Sequence, residues 1–398
     1  MPTPRDLGED SSRLKFPGRL RRFALRVVPL LAALHVYIGW RLLTVLPIDT
    51  LGTVMGVGLL ALSTLLIPMG MFARFVVRPP VLADRLSWAG SLSMGLFSYV
   101  LILTLLRDVL LLVVGMPSLV TPTAMAVLVL AVMATLMGYI HARRVARVVR
   151  IDIPLAGLPV PLAGFTIAQI SDIHVGPTIK ADYVAAIVDR VNSLGADLIA
   201  ITGDVVDGSV PTLASHTAPL ARLAARHGSY VVTGNHEYYS GALPWIQEFR
   251  RLGLHCLMNE HVVIEHEGAS LIVAGVTDYS AQAFDPAQRS DPALVLAGSP
   301  QGLPRILLAH QPRSAHAAQA AGFDLQLSGH THGGQFWPWN HFVRLQQPFT
   351  SGLHRLGSLW VYTSCGSGYW GPPQRLGAPS EITLLRLVPE LGSPSNAG

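Results

Sequence analysis

Phe165–His174 reads FTIAQISDIH, an apolar run of strand length that ends abruptly in Ser171-Asp172-Ile173-His174. A buried strand that stops at two metal-capable side chains is the pattern of a site built on the end of a sheet. The pattern recurs downstream. Asp197–Thr202 is followed by Gly203-Asp204-Val205-Val206-Asp207, Tyr230–Thr233 by Gly234-Asn235-His236-Glu237, Ile306–Ala309 by His310, and Leu325–Ser328 by Gly329-His330-Thr331-His332. Helical periodicity fills the intervals at Ala181–Leu194, Leu213–Arg226 and Pro244–Leu252. Strands dominate after Gly253, at Val262–Glu265, Leu271–Ala274, Leu359–Thr363 and Ile382–Leu387, and Val145–Ile153 opens the domain. The alternation predicts an α/β fold of two packed sheets with helices outside.

The five motifs supply Asp172, His174, Asp204, Asn235, His310, His330 and His332 as candidate ligands. This nitrogen and oxygen set without thiolate suits Mn, Fe or Zn better than a closed structural zinc site or an all-oxygen Ca or Mg site. Seven ligands exceed one ion's needs, and a shared carboxylate between two ions would suit in-line displacement at phosphorus. If Asp172-x-His174 and His330-x-His332 are extended, both side chains of each pair share a face.

The series D-x-H, G-D-x-x-D, G-N-H-E, H, G-H-x-H resembles the calcineurin-like metallophosphoesterases, most closely a bacterial membrane-anchored branch of predicted phosphohydrolases. The wording of Gly234–Ser240 (GNHEYYS), Gly329–Gln335 (GHTHGGQ) and Arg375–Ile382 (RLGAPSEI) is similar too. The resemblance runs from about Arg144 to Leu387. It implies a four-layer α/β/β/α sandwich and two divalent metal ions. One ion would sit on Asp172, His174 and His332, the other on Asn235, His310 and His330, with Asp204 bridging. His236 would be the catalytic acid facing them. Asp207 and Glu237 have no ligand slot there and are read as partners that orient imidazoles or water, or as structural. His341 and His354 follow the GHTHGGQ segment, where family enzymes shape the substrate cleft, but like the other histidines outside the motifs they are read first as surface or core residues. Gly366-Ser367-Gly368 reads as a turn rather than a phosphate cradle, for lack of a following helix. Trp337, Trp339, Tyr369 and Trp370 wall the cleft or touch lipid headgroups.

The chain around this domain is far too apolar for an ordinary soluble protein. Of 398 residues, 50% are hydrophobic and 13% charged, with a mean hydropathy of +0.43, which also excludes disorder. Leu51–Ala73, Leu86–Leu106 and Val120–Ile140 are uncharged and reach the roughly 20 residues needed to cross a bilayer. Val27–Leu46 is a fourth span rather than a signal peptide, because its apolar length exceeds an h-region and no clean cleavage site follows. Four spans place 14 of the 16 basic residues up to Arg150 on one side, leaving Arg41 and Arg107 on the other. The positive-inside rule then puts both termini and the catalytic domain in the cytoplasm of a multi-pass protein of the cell membrane. Arg107 and Asp108 are read as an interfacial ion pair at the end of the third span. Residues 1–150 carry a net +10 and residues 151–398 a net −5. The basic pI thus belongs to a membrane surface, and nucleic acid is not an expected partner. Cys256 and Cys365 form no framework.

The expected domains are residues 1–143 for the basic segment and four membrane helices, 144–388 for the phosphoesterase domain, and 389–398 for a disordered tail. The expected activity is metal-dependent hydrolysis of a phosphodiester or pyrophosphate bond by a metal-activated water, with a lipid-linked phosphoester as first choice and membrane lipids as surroundings. The alternatives are a phosphodiesterase acting on soluble nucleotides, and a non-enzymatic membrane receptor or scaffold that binds a phosphorylated partner; manganese is the metal used to test them. A transporter is disfavoured by the lack of charge within the spans.

Overall fold

The computed structural model describes residues 18–390. Arg5, Arg13, Lys15, the side chains of Arg19, Arg21 and Arg22, and residues 391–398 of the expected tail lie outside the described residues. The chain divides into two compact units, Met1–Val132 and Met133–Gly398.

Among the described residues, four helices are long and apolar enough to cross a membrane: α1 (Gly18–Leu43), α2 (Thr50–Val76), α3 (Pro80–Val114) and α4 (Val120–Arg143). Asp49 caps α2 by accepting from the Gly52 N–H. Gly70 of α2 and Gly90 of α3 meet so closely that a Cβ on Gly90 would fall on Leu66 O and Gly70 Cα, which is how small residues draw membrane helices together. Helix α3 runs past the expected end at Leu106, so Arg107 and Asp108 lie within it rather than at its end. There they join a network. The Asp108 carboxylate accepts both Nε and Nη2 of Arg41 at 2.7 Å and the Tyr37 hydroxyl at 2.6 Å. The buried Arg107 donates to Thr123 Oγ1 and Val120 O. Each of these groups is satisfied by a neighbouring helix, as apolar surroundings would require.

The described residues of the second unit contain the last turns of α4 and twelve strands. They are β1 (Arg147–Leu155), β2 (Thr166–Ile170), β3 (Leu198–Ile201), β4 (Ser229–Val231), β5 (His255–Cys256), β6 (Glu260–His266), β7 (Ala269–Gly275), β8 (Arg305–Leu308), β9 (Leu325–Ser328), β10 (Gly352–Leu356), β11 (Leu359–Thr363) and β12 (Glu381–Pro389). The helices are α5 (Ala181–Asn192), α6 (Val210–Thr217), α7 (Asn235–Ser240), α8 (Ala242–Arg251), α9 (Pro292–Val295) and α10 (Ala315–Ala321). One sheet has the order β1-β12-β2-β3-β4-β5, the other β10-β11-β9-β8-β7-β6. Within them β2 to β5 run parallel, as do β7, β8, β9 and β11.

Ile167, Leu198, Ala200 and Tyr230 of the first sheet meet Val273, Ile306, Leu308 and Leu327 of the second in one core. The opposite faces are covered as well, Ile199 and Ile201 by Val184, Ile187 and Trp245 of α5 and α8, and Leu307 by Ala315 and Ala318 of α10. Strands buried on both faces are apolar at most positions, which is why they read as near-continuous runs. The result is the four-layer α/β/β/α sandwich. Two expectations shift. The helix expected to reach Arg226 ends at Thr217 and continues as a 3-10 turn to Arg222, because Pro219 has no N–H with which to extend it. Strand β12 runs through Pro389, into the segment expected as tail.

Candidate metal centre

The candidate site is assembled from the loops that leave β2, β3, β4, β8, β9 and β11, three from each sheet. These loops bring all eight motif residues to one end of the sandwich. Asp172, His174 and His332 form one buried cluster and Asp204, His310 and His330 another, with the ligand atoms of each cluster within 4.8 Å of one another. Asp204 lies between them, its Oδ2 at 3.1 Å from His310 Nε2 and 3.9 Å from His174 Nε2. Asn235 is buried, and its Oδ1 has no hydrogen-bond partner. His236 is somewhat more open, packed edge-on against His174.

The ligand pairs do not share a face by being extended, as the sequence reading supposed. Asp172, His174, Asp204, His330 and His332 all have φ between 51° and 71°. The left-handed region costs a non-glycine residue on the order of 1–3 kcal/mol, and such strain collects at functional sites. It curls each loop so that alternate side chains turn inward at the strand end. The motif glycines permit the crowding, since a Cβ on Gly329 would land on Ser171 Oγ and Asp172 Oδ2.

Hydrogen bonds orient the imidazoles. His310 Nδ1 donates to Thr202 O at 2.7 Å, which turns Nε2 into the site and toward Asp204 Oδ2. His174 Nδ1 is fixed in the same way by Asp207 Oδ1 at 3.0 Å. The inward nitrogens face one another, His174 Nε2 against His332 Nε2 at 3.0 Å and His330 Nδ1 against His310 Nε2 at 3.2 Å. Imidazole nitrogens converging on two buried carboxylates, with an orphaned amide oxygen beside them, form a donor set that fits divalent cations.

Electrostatics follow from this crowding. Burial opposes ionisation of Asp204, but His310 and His236 outweigh it and hold the carboxyl well below the usual range. Burial and the neighbouring His310 push the His330 imidazole down to about 3. Burial also works against a charged His236, yet Asp204 and the 2.5 Å hydrogen bond to Asp207 raise it to about 9.

Asp207 therefore orients two imidazoles at once. Glu237 has a different task. Its oxygens accept the N–H groups of Asp204, Val205, Val206 and Gly234, pinning the β3 loop to the start of α7. Burial and Asp204 push its carboxyl up to about 8, while these backbone donors pull the other way. Four N–H donors occupy every lone-pair position, which is the arrangement of a carboxylate.

His341 and His354 join no metal-ligand cluster among the described residues. His341 is exposed and His354 stacks on Phe349. In Gly366-Ser367-Gly368 the N–H groups are bound to Ser364 Oγ, Ser171 O and Asp172 O, so the segment is a packing turn. Tyr369 is buried, whereas Trp370 is exposed with its ring against His236. The residue that sequence reasoning missed is Arg375. It is fully buried and donates to His332 O, Cys365 O and Gly368 O, with Nη2 at 3.0 Å from His332 Nδ1. Its signal was the RLGAPSEI wording, which carried no role.

A two-sheet sandwich that gathers these carboxylates and imidazoles at its strand ends defines the metallophosphoesterase class. The calcineurin-like phosphoesterase family profile matches residues 165–334. A Danio rerio transmembrane protein with metallophosphoesterase domain is 37% identical over 273 residues, covering 67% of this chain and 62% of that one. An uncharacterized metallophosphoesterase of Helicobacter pylori is 41% identical, covering 56% and 60%. Another from Aquifex aeolicus is 33% identical, covering 56% and 84%. The chain belongs to the calcineurin-like phosphoesterase family. It spans about 62% of the length of the Danio rerio relative, and relatives from animals and bacteria alike take the affinity beyond a bacterial branch. Four apolar helices and a relative called transmembrane support membrane association.

Proposed function

We propose that the protein is a membrane-anchored, dinuclear metal-dependent phosphohydrolase. The observation that carries this reading is the convergence of inward imidazole nitrogens on the buried carboxylates of Asp172 and Asp204. Asp172, His174 and His332 would hold one ion, and Asn235, His310 and His330 the other, with Asp204 shared. Bound there, two divalent ions of the Mn, Fe or Zn type supply Lewis-acid activation of water and charge neutralisation at phosphorus. His236, kept protonated by Asp207, donates its proton to the leaving oxygen. Asp207 holds that imidazole and the His174 ring in fixed orientation.

The substrate we propose is a phosphodiester or pyrophosphate in a lipid-linked compound. Four membrane helices exceed what tethering requires, and the catalytic unit is bonded to the end of one of them: the Arg375 N–H donates to Gly138 O of α4 at 2.9 Å. The basic bias of 14 to 2 supports a cytoplasmic catalytic unit. The test is a turnover screen of detergent-purified, Mn-loaded protein on lipid-linked and soluble phosphoesters. Hydrolysis with a preference for the lipid-linked class is expected. Activity confined to soluble nucleotides overturns the substrate, and metal binding without any turnover points to a receptor or scaffold instead.

A further inference from the structure

The unit that begins at Met133 carries an apolar surface beside the candidate site. Trp339, Phe342, Leu345 and Trp370 are 45%, 53%, 79% and 54% exposed. Single exposed apolar residues need no explanation, but four large ones on two bonded loops do. The loops are tied together by Gln335, whose side chain bonds both Trp370 N and Trp370 O, and by the Trp337 N–H donating to Leu376 O. Trp339 and Phe342 pack ring to ring.

The second loop is fastened to the last turns of α4. Arg375 N bonds Gly138 O, Arg375 O lies 3.2 Å from His141 Nδ1, and Arg143 donates to Thr178 O and the Tyr369 hydroxyl. The apolar stretch of α4 ends at Ile140, two residues beyond Gly138, or about 3 Å along a helix. The attachment therefore lies where hydrocarbon gives way to headgroups. Exposed Arg143, Arg144 and Arg147 follow on the chain, and exposed Arg344 sits between Phe342 and Leu345. Tryptophan, phenylalanine and leucine interleaved with arginine suit an anionic bilayer surface.

We infer that Trp339, Phe342, Leu345 and Trp370 dock into the anionic headgroup layer of the bilayer that holds α4, so that the metal centre opens at the membrane surface. This deepens the proposed function and rests on it only for the class of substrate delivered. Trp370 links the two roles, since its ring contacts His236 at 5.6 Å between centroids. A phosphoester in the headgroup layer then reaches the site with its tail still in lipid.

The test uses the full chain in vesicles of phosphatidylcholine and phosphatidylglycerol containing a lipid with a nitroxide near its headgroup. Phe342→Cys and Leu345→Cys carry an environment-sensitive fluorophore, Val160→Cys provides an exposed control on another turn, and the labelled parent corrects for Cys256 and Cys365. Lipid quenching at 342 and 345 should exceed that at 160 about threefold or more, as expected for residues seated at the headgroup boundary. Equal quenching at all three sites overturns the inference. So does protection from aqueous iodide without lipid quenching, which would mean a protein partner or a second copy covers the surface. A Phe342→Ser, Leu345→Ser double variant should turn over a vesicle-borne phosphoester about tenfold more slowly while keeping its rate on a small soluble phosphodiester, because only surface delivery is lost. A parent chain that hydrolyses neither substrate defeats the hydrolase reading alone, since the quenching measurement decides the surface independently.

Discussion

In the membrane helices, Asp108 is met by Arg41, Arg107 and Tyr37, and the buried Arg107 finds a hydroxyl and carbonyls. In the phosphoesterase unit, Asp172 and Asp204 each accept a backbone N–H but otherwise face imidazoles whose inward nitrogens confront one another. The first region closes its charges within itself, and the second leaves its donors pointing at a common centre. A polar group in hydrocarbon has no alternative partner, so pairing there serves stability. Imidazole nitrogens and carboxylates that converge on one another in a folded interior are the donor set of a divalent cation.

This contrast predicts that removing a carboxylate has opposite consequences in the two regions. Asp204→Asn should abolish turnover, by about a thousandfold or more, because a neutral amide cannot compensate two cations, and the thermal transition should change little. His236→Ala should lower the rate by roughly 100-fold, measured under saturating Mn. Asp207→Asn should cost about 10–100-fold, since two imidazoles lose the acceptor that orients them. In the membrane region, Asp108→Asn should leave the rate on a soluble phosphoester unchanged. It should destabilise the helices by about 1–2 kcal/mol in detergent unfolding, a cost moderated by the partial exposure of the pair. Arg143→Ala, which gives up bonds to Thr178 and Tyr369, should cost only about 1 kcal/mol.

The two regions also differ in how much of them could be read from residues alone. The strands after Phe165 were legible because a strand buried on both faces is mostly apolar, and the candidate ligands because the chemistry of a metal site favours Asp, Asn and His at strand ends. The left-handed backbone at Asp172 and His332 was not legible, since it results from loops crowding together across two sheets. The seam at Gly138 and Arg375 was hidden for a related reason. A backbone N–H bonding to a carbonyl 237 positions earlier leaves no mark on side-chain pattern. In the membrane helices hydropathy announced the spans, yet the reach of α3 beyond Arg107 depended on partners from α1 and α4 that make those charges tolerable.

The most direct measurement of the central claim is the metal content of the full-length protein after Mn loading and desalting, determined per chain by elemental analysis alongside Asp204→Asn and His236→Ala. Two ions are expected in the parent and in His236→Ala, with loss from Asp204→Asn. A parent chain that retains one ion or none, or a His236→Ala variant that sheds one, would rule out a two-ion centre in which His236 is no ligand.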